Sequence, residues 1–305
     1  MPDSPLQELI DEQIGTSRGM NLFSEDALES FRFTDAILES MDEFTEANDE
    51  EWANLVAHAK NATMAEFCRV NQYYSVDATL QRNLETIYLF LFDEIRTRKR
   101  HPTDDATGDM AQRHFLRLRH VLKQTNPFAE TLYSIDSRFL EPVPCFEYSP
   151  SLQRDVLGID INDLTEPVLD IGCGKEARLV EFLRSRGIET YGMDRFVEPS
   201  PYLIRTSWLE FDFQSDRWGT VLSHLGFSNH FRHHHHRGDG DYVRYAQTYL
   251  SILSSLKIGG RFHYTPGLEF IEQHLDYRHY VMKRKSLDNG FDSVIIERIG
   301  CTETG

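Results

Sequence analysis

Cysteine is scarce in this chain: there are four in 305 residues, Cys68, Cys145, Cys173 and Cys301, and no two form a C-x-x-C pair. That spacing suggests neither a disulfide framework nor a cysteine zinc site, and leaves reduced buried or turn thiols as the expectation. Long apolar runs are also missing, since none reaches the roughly 20 residues that span a bilayer. The opening MPDSPLQELIDEQ is too polar to read as a secretory leader. Positive charge is in deficit, with 32 Lys and Arg against 49 Asp and Glu and a formal net charge of −17. Each phosphate held by a protein needs a cation to neutralise it, so nucleic acid is disfavoured as a partner. No internal repeat and no low-complexity tract is seen. These absences leave a soluble, cytoplasmic globular protein with no membrane segment as the expectation.

What is present centres on VLDIGCGKEARLVEFLRSRGIETYGMDR, Val168 to Arg195. A short apolar run ends in an acid and two glycines, and Leu179, Val180, Phe182 and Leu183 then repeat at helical spacing, which predicts strand, tight turn and helix. A second apolar stretch from Ile188 to Met193 stops at Asp194, placing a carboxylate at the tip of a second strand. Gly172 and Gly174 lack the Cβ atoms that would keep a ligand from the backbone, and Asp194 can accept both hydroxyls of a ribose. Read as G-x-G-x-x-G/A, Gly172, Gly174 and Ala177 fit a dinucleotide site. Asp170, two residues before the first glycine, suits an ammonium better than a pyrophosphate. The ligand that joins adenosine to an amino acid is S-adenosylmethionine.

The first half reads as helices. One is predicted from an N-cap at Ser24 through about Ser40, another around Trp52, Leu55, Val56 and Ala59 after the acidic MDEFTEANDEE, and a third from Asp77 with a broad apolar face between Leu80 and Ile95. The basic RTRKRH that ends the third suits the negative end of a helix dipole. A fourth is expected from about Asp105 to Lys123, before Asn126-Pro127. Prolines 142, 144 and 150 mark an extended linker and then a short helix from Ser149. The domains are therefore drawn at 1–140, helical, and 141–305. Tyr148 and Gln153 come close to the first strand in sequence and are candidates to face its pocket.

After Asp194, FVEPSPYLIRTSW leaves room for a short helix, and Trp208 to Phe211 reads as a strand ending at Asp212. Thr220 to Leu225 is the next strand, GFSNHFRHHHHRGDGD a long polar and aromatic loop, and Asp241 to Leu256 a helix. LKIGGRFHYTP gives a Gly-Gly turn and a fifth strand, and the tail a helix near Leu268 to His274 and two strands joined by a tight reversal at SLDNG.

From about Tyr148 to Ile299 the chain resembles the class I S-adenosylmethionine-dependent methyltransferases. The resemblance is carried by VLDIGCG, GMD ending at Asp194, EFDF ending at Asp212, TVLSHLGFSNHF and LKIGGRF, in the family's order. It implies an α/β fold: a seven-stranded Rossmann-like sheet with an antiparallel last strand, here preceded by an N-terminal helical domain that would cover the active site. It implies S-adenosylmethionine as cofactor, with Asp170, Gly172, Cys173 and Gly174 around the methionine portion, Asp194 and Arg195 at the ribose, Asp212 and Phe213 at the adenine, and Ser223 bordering it from the fourth strand. Glu176 stands where many members have a third glycine, and Gly219 where an acid often starts the fourth strand. The chemistry implied is in-line transfer of a methyl group to a small-molecule acceptor, with His224, His230 and Tyr264 as candidates for a base if the acceptor has to lose a proton. The run His233 to His236 raises the question of a metal, but adjacent side chains rarely converge on one ion, and none is assigned. Two other readings stay open: an NAD-dependent oxidoreductase on the glycine pattern, and a scaffold without catalysis, kept alive by Glu176.

Overall fold

A computed structural model of the chain describes residues 4–97, 104–133, 138–140, 148–237, 240–287 and 292–300. It divides into two compact units, Met1–Cys145 and Phe146–Gly305. Among the described residues no helix is long and apolar enough to cross a membrane.

The first unit is helical. Its α1 (Pro5–Thr16), which the sequence reading did not predict, starts where the Ser4 hydroxyl accepts from the Gln7 N–H and proline occupies the first turn, where a missing donor costs nothing. The helix expected from Ser24 to about Ser40 is broken into α2 (Glu25–Ser30), α3 (Asp35–Glu39) and α4 (Met41–Glu46). Phe31 is extended at ψ 124° and buries its ring against Phe115, and Thr34 then caps a new helix by accepting from the Ile37 N–H. Burial of one aromatic ring has overridden a continuous helical pattern. An Asn48–Glu51 capping box starts α5 (Asp49–Val70). Asp77 accepts from the N–H groups of Thr79 and Leu80 to start α6 (Ala78–Thr97), which buries the predicted face from Leu80 to Ile95. Most of the basic cluster after Thr97 lies outside the described residues. The unit closes with α7 (Asp104–Thr125) and α8 (Phe128–Tyr133).

The second unit begins with α9 (Pro150–Leu157), capped by Ser149 and ended by left-handed Gly158; the linker at 141–147 lies outside the described residues. Then come β1 (Val168–Ile171), α10 (Arg178–Arg184), β2 (Thr190–Asp194), β3 (Leu203–Arg205), β4 (Trp218–His224), α11 (Phe227–His235), α12 (Tyr242–Ser255), β5 (Leu256–Thr265), α13 (Glu269–Glu272), β6 (Tyr280–Ser286) and β7 (Asp292–Arg298). The strands form one sheet in the order β3-β2-β1-β4-β5-β7-β6. The first five are parallel, and β7 runs antiparallel to both its neighbours. A dinucleotide-binding sheet is ordered 3-2-1-4-5-6 and is parallel throughout. Insertion of β7 between β5 and β6 sets this sheet apart from that pattern and matches the fold implied by the resemblance.

Alternation along the strands divides the buried side chains between the two faces. Leu169, Ile171, Val221, Phe262 and Tyr264 share a core with Phe227, Phe231, Tyr245 and Tyr249 of α11 and α12. Val168 and Leu222 pack on the opposite face with Leu157 of α9 and Leu179 and Leu183 of α10. Asp170 pairs in register with Leu222 and so belongs to this second face.

Four expectations need correction. The third strand is Leu203–Arg205, inside the segment read as a short helix, and Trp208 to Glu210 form a turn in which the Glu210 and Phe211 N–H groups both donate to the Ser207 carbonyl. The stretch GFSNHFRHHHH, read as a loop, is α11. Gly259 and Gly260 lie within β5, where the register steps from Trp218 opposite Leu256 to Thr220 opposite Arg261, so the glycines make an irregularity in a strand and not a reversal. The helix expected near Leu268 to His274 is the single turn α13. Most of the reversal at SLDNG lies outside the described residues.

Candidate active site

The glycine turn sits at the carboxyl end of β1, the centre of the parallel strands. Gly172 has φ +75°, and a Cβ there would lie 3.3 Å from the Trp208 ring. A side chain at this position is therefore strained and pressed on an indole. The Gly172 and Cys173 N–H groups both donate to the Met193 carbonyl, at 2.8 and 3.1 Å, which ties the turn to the tip of β2. Cys173 points inward, among Ala177, Val180 and Val197. Ala177, third in the dinucleotide pattern, is left-handed at φ 47° and precedes α10.

Asp170 lies at the carboxyl end of β1, just before the glycine turn. Its side chain is 1% exposed and its Oδ2 has no hydrogen-bond partner. Burial, and then the charge of Asp194, push its pKa up to about 7. A carboxyl group in this state is costly once ionised and is relieved by a cation brought beside it. Asp194 accepts from the Gly174 N–H through Oδ2 at 3.3 Å and from the Phe196 N–H through Oδ1 at 2.8 Å, bridging the two loops at the edge of the sheet. The Arg195 guanidinium lies over the Phe196 ring, 5.4 Å from its centroid, and is close enough to His230 to act on its titration.

Trp208 was singled out only as the start of a strand. Its indole packs against Gly172 and meets the edge of His230 at 4.9 Å between centroids. Its place follows from the corrected position of β3, because Thr206, Ser207 and Trp208, not Asp212 and Phe213, come next after that strand's carboxyl end. Asp212 is exposed and accepts from the Gln214 N–H at 3.0 Å. The Phe213 ring is in the sheet core, 5.0 Å from Phe211, and its carbonyl accepts from the Trp218 indole. The pair therefore does not offer an adenine wall. Ser223 is fully buried, and its hydroxyl donates to the Ile171 carbonyl and accepts from the Phe227 N–H, joining the ends of β1 and β4 to α11.

Among the three candidate bases, His224 ends β4 one pleat beyond the level of Asp170 and stands edge-on to Tyr148 at 4.9 Å. Burial lowers its pKa to about 4. The Tyr148 carbonyl also accepts from the Gln153 amide at 2.8 Å. His230 is 5% exposed, with Nδ1 3.5 Å from the Tyr245 hydroxyl, and burial followed by the nearby Arg195 charge holds it well below the ordinary imidazole range. Tyr264 is not at this edge. It lies on the opposite face from Asp170, fully buried, and its hydroxyl donates to Glu272 Oε1 at 2.6 Å and contacts Tyr249 at 3.2 Å. The Leu268 N–H and Arg284 also donate to Glu272. Burial and the Glu272 charge raise the phenol far above neutrality, so the role of base given to Tyr264 is withdrawn. We expect Tyr264→Phe to cost about 1 kcal/mol of stability by removing one donor to a buried carboxylate, read from a urea transition, while ligand binding at the glycine turn is unchanged.

The histidine run follows helical geometry, which turns successive side chains by about 100°. His234, 4% exposed, stacks on Tyr245 at 4.7 Å and accepts at Nδ1 from the Asp241 N–H. His235 stacks on Phe270 at 3.7 Å, and His236 meets that ring at 6.4 Å. The run is thus shared between core and surface. Among the described residues no group of three or more His, Cys, Asp or Glu side chains is placed to hold a metal. Gly219 has a steric reason: a Cβ there would overlap the Thr165 and Glu166 carbonyls, so the acid common at that position has no room.

No family model and no curated protein matches the chain. Solved structures similar to it include a 16S rRNA methyltransferase of T. thermophilus in complex with AdoMet and guanosine, at 13% identity, covering 49% of this chain and 39% of that one with a TM-score of 0.31. Others are the N-methyltransferase NodS of Bradyrhizobium japonicum (11%, 49% and 96%, 0.33) and a SAM-dependent methyltransferase of Methanosarcina mazei (14%, 45% and 95%, 0.30). By strand order and direction, the described part of the second unit forms the seven-stranded Rossmann-like sheet, with its last strand antiparallel, that the resemblance implies.

Proposed function

We propose that the second unit is an S-adenosylmethionine-dependent methyltransferase acting on a small-molecule acceptor. The observation that carries this reading is Asp170, a carboxyl group buried at the end of the central strand with one oxygen left without a partner. An ammonium group is the complement of that site, and a pyrophosphate is not. The cleared backbone at Gly172 and the carboxylate of Asp194 fit the rest of such a ligand. Asp170 would hold the amino-acid end and Asp194 the ribose, with the Trp208 indole forming the wall beside Gly172. Bound there, the cofactor supplies an already activated methyl group on a sulfonium.

The chain's task is then to align the acceptor and exclude water. His224 and His230 are both held below the ordinary imidazole range and are weak bases at neutral pH. We assign them to positioning, which fits an acceptor whose attacking atom already has a free lone pair. The net charge of −17 favours a small molecule over nucleic acid.

Calorimetric titration with S-adenosylhomocysteine and, separately, NADH tests the cofactor. Saturable binding of the first alone is expected; binding of NADH would restore the oxidoreductase reading, and binding of neither the scaffold. Trp208 gives a second readout. Its emission is expected to change saturably with S-adenosylhomocysteine, over a constant background from Trp52 and Trp218, and Trp208→Phe should abolish the change. A change that survives that substitution would take Trp208 out of the pocket wall.

A further inference from the structure

The helical unit holds a pocket formed by its own side chains. Its volume is about 120 Å³, and its walls are mostly rings and hydrocarbon, including Phe31, Phe44, Tyr88, Phe92 and Leu118. Most of the polar groups on these walls are already paired. The Thr63 and Tyr88 hydroxyls bond each other at 2.5 Å. Glu66 accepts from Arg69 and from the Gly19 N–H. Gln13 accepts from the Thr34 N–H and donates to the Arg32 carbonyl.

His114 differs from these groups. It lines the same pocket at 4% exposure, and its Nδ1 is buried without a hydrogen-bond partner. Its ring is boxed by Phe31, Phe33 and Tyr88, with centroids 6.3, 6.4 and 5.3 Å away. Burial, with Arg117 nearby, lowers its pKa to about 3, so at neutral pH one ring nitrogen donates and the other accepts. A buried nitrogen in this condition is destabilising unless something pairs with it. A dry, hydrocarbon-lined cavity of ~150 Å³ takes up benzene, so the space here is enough for a ring or a short branched chain.

We propose that this pocket is a binding site for a compact, uncharged, apolar molecule carrying one hydroxyl, which pairs with His114 while its hydrocarbon body fills the aromatic box. A hydroxyl both donates and accepts, so it serves either tautomer of the ring. A charged ligand is disfavoured because Glu66, the acid on the wall, is already held by Arg69, and burial leaves His114 neutral. The site lies wholly within Met1–Cys145, and the proposal stands or falls independently of methyl transfer.

The test is calorimetry on the full chain with phenol and with toluene, which differ by a hydroxyl in place of a methyl group. Both are expected to bind saturably, one per chain, with phenol about tenfold tighter for its one hydrogen bond to a buried partner. His114→Phe should remove that tenfold advantage and leave toluene within about twofold of its original affinity. Ala59→Met, which adds bulk at a fully buried position on the wall, should weaken both. In the unaltered chain, phenol should shift the His114 imidazole ¹⁵N resonances, a readout independent of any variant's folding. Absence of saturable binding, equal affinity for the two probes, or His114 resonances unmoved by phenol would overturn the proposal.

Discussion

Asp170→Asn is expected to make the second unit more stable and a poorer binder of S-adenosylhomocysteine in the same experiment. The folded carboxyl has a pKa of about 7 against an ordinary 3.8, because burial and Asp194 oppose its charge. Its folded-state pKa is thus raised, so between about pH 4 and pH 7 the unfolded chain gives up a proton that the folded chain keeps. Stability falls across that window, and the penalty is complete above it. A move of this size corresponds to about 4 kcal/mol, and relaxation around the charge reduces the penalty to something on the order of 2 kcal/mol. Asparagine has no charge to bury. At pH 8 its melting midpoint should lie roughly 4–8 °C above that of the unaltered chain, and at pH 4 the two should coincide. Affinity for S-adenosylhomocysteine should fall by about 30–100-fold at pH 8, since the counter-charge for the ammonium is gone. Thermal melts at the two pH values and a calorimetric titration read both effects. A variant that is less stable at both values and binds as before would remove Asp170 from the site.

Asp194→Ala should cost at least as much in affinity. The carboxylate accepts from the N–H groups of Gly174 and Phe196, so its loss frees the glycine turn and deprives a bound ribose of its acceptor at the same time. Charge-assisted hydrogen bonds contribute about 1.5–3 kcal/mol each, and we expect roughly a hundredfold loss of S-adenosylhomocysteine affinity. Asp194→Asn keeps acceptor oxygen at the same place and should fall between the two. Transfer of labelled methyl groups to cell extract at limiting cofactor provides the activity readout, and full labelling by the alanine variant would sink the ribose assignment.

The parts of the site that were legible in the sequence are those whose chemistry is local. A glycine turn after an apolar strand and an acid at the next strand's tip are short-range patterns, and Gly172, Asp170 and Asp194 come together at one edge of the sheet because β1 and β2 are neighbours. What was not legible depended on packing. The helix α11 looked polar because His230 and His234 count as hydrophilic, yet both are buried with Phe227 and Phe231 on one helical stripe. Trp208 and Phe211 looked like strand because aromatics favour strands, but the turn at Ser207 lets the indole cover Gly172 instead. The true third strand has three residues, none of them buried, and carries almost no signal of its own. Tyr264 was expected just after the fifth strand but lies within β5, and the neighbour it faces, Glu272, belongs to a helix whose position no spacing rule supplies.

The brevity of β3 has a further consequence for how copies of this protein meet. Among the described residues the sheet ends at β3 on one side and at β6 on the other. A three-residue margin offers too few open backbone groups to template another chain. The opposite margin carries Lys283 and Lys285, both exposed, so two such borders laid together would set cation against cation. Neither border invites the sheet to continue into a second molecule, and self-association, where it occurs, is expected to use helical surfaces instead.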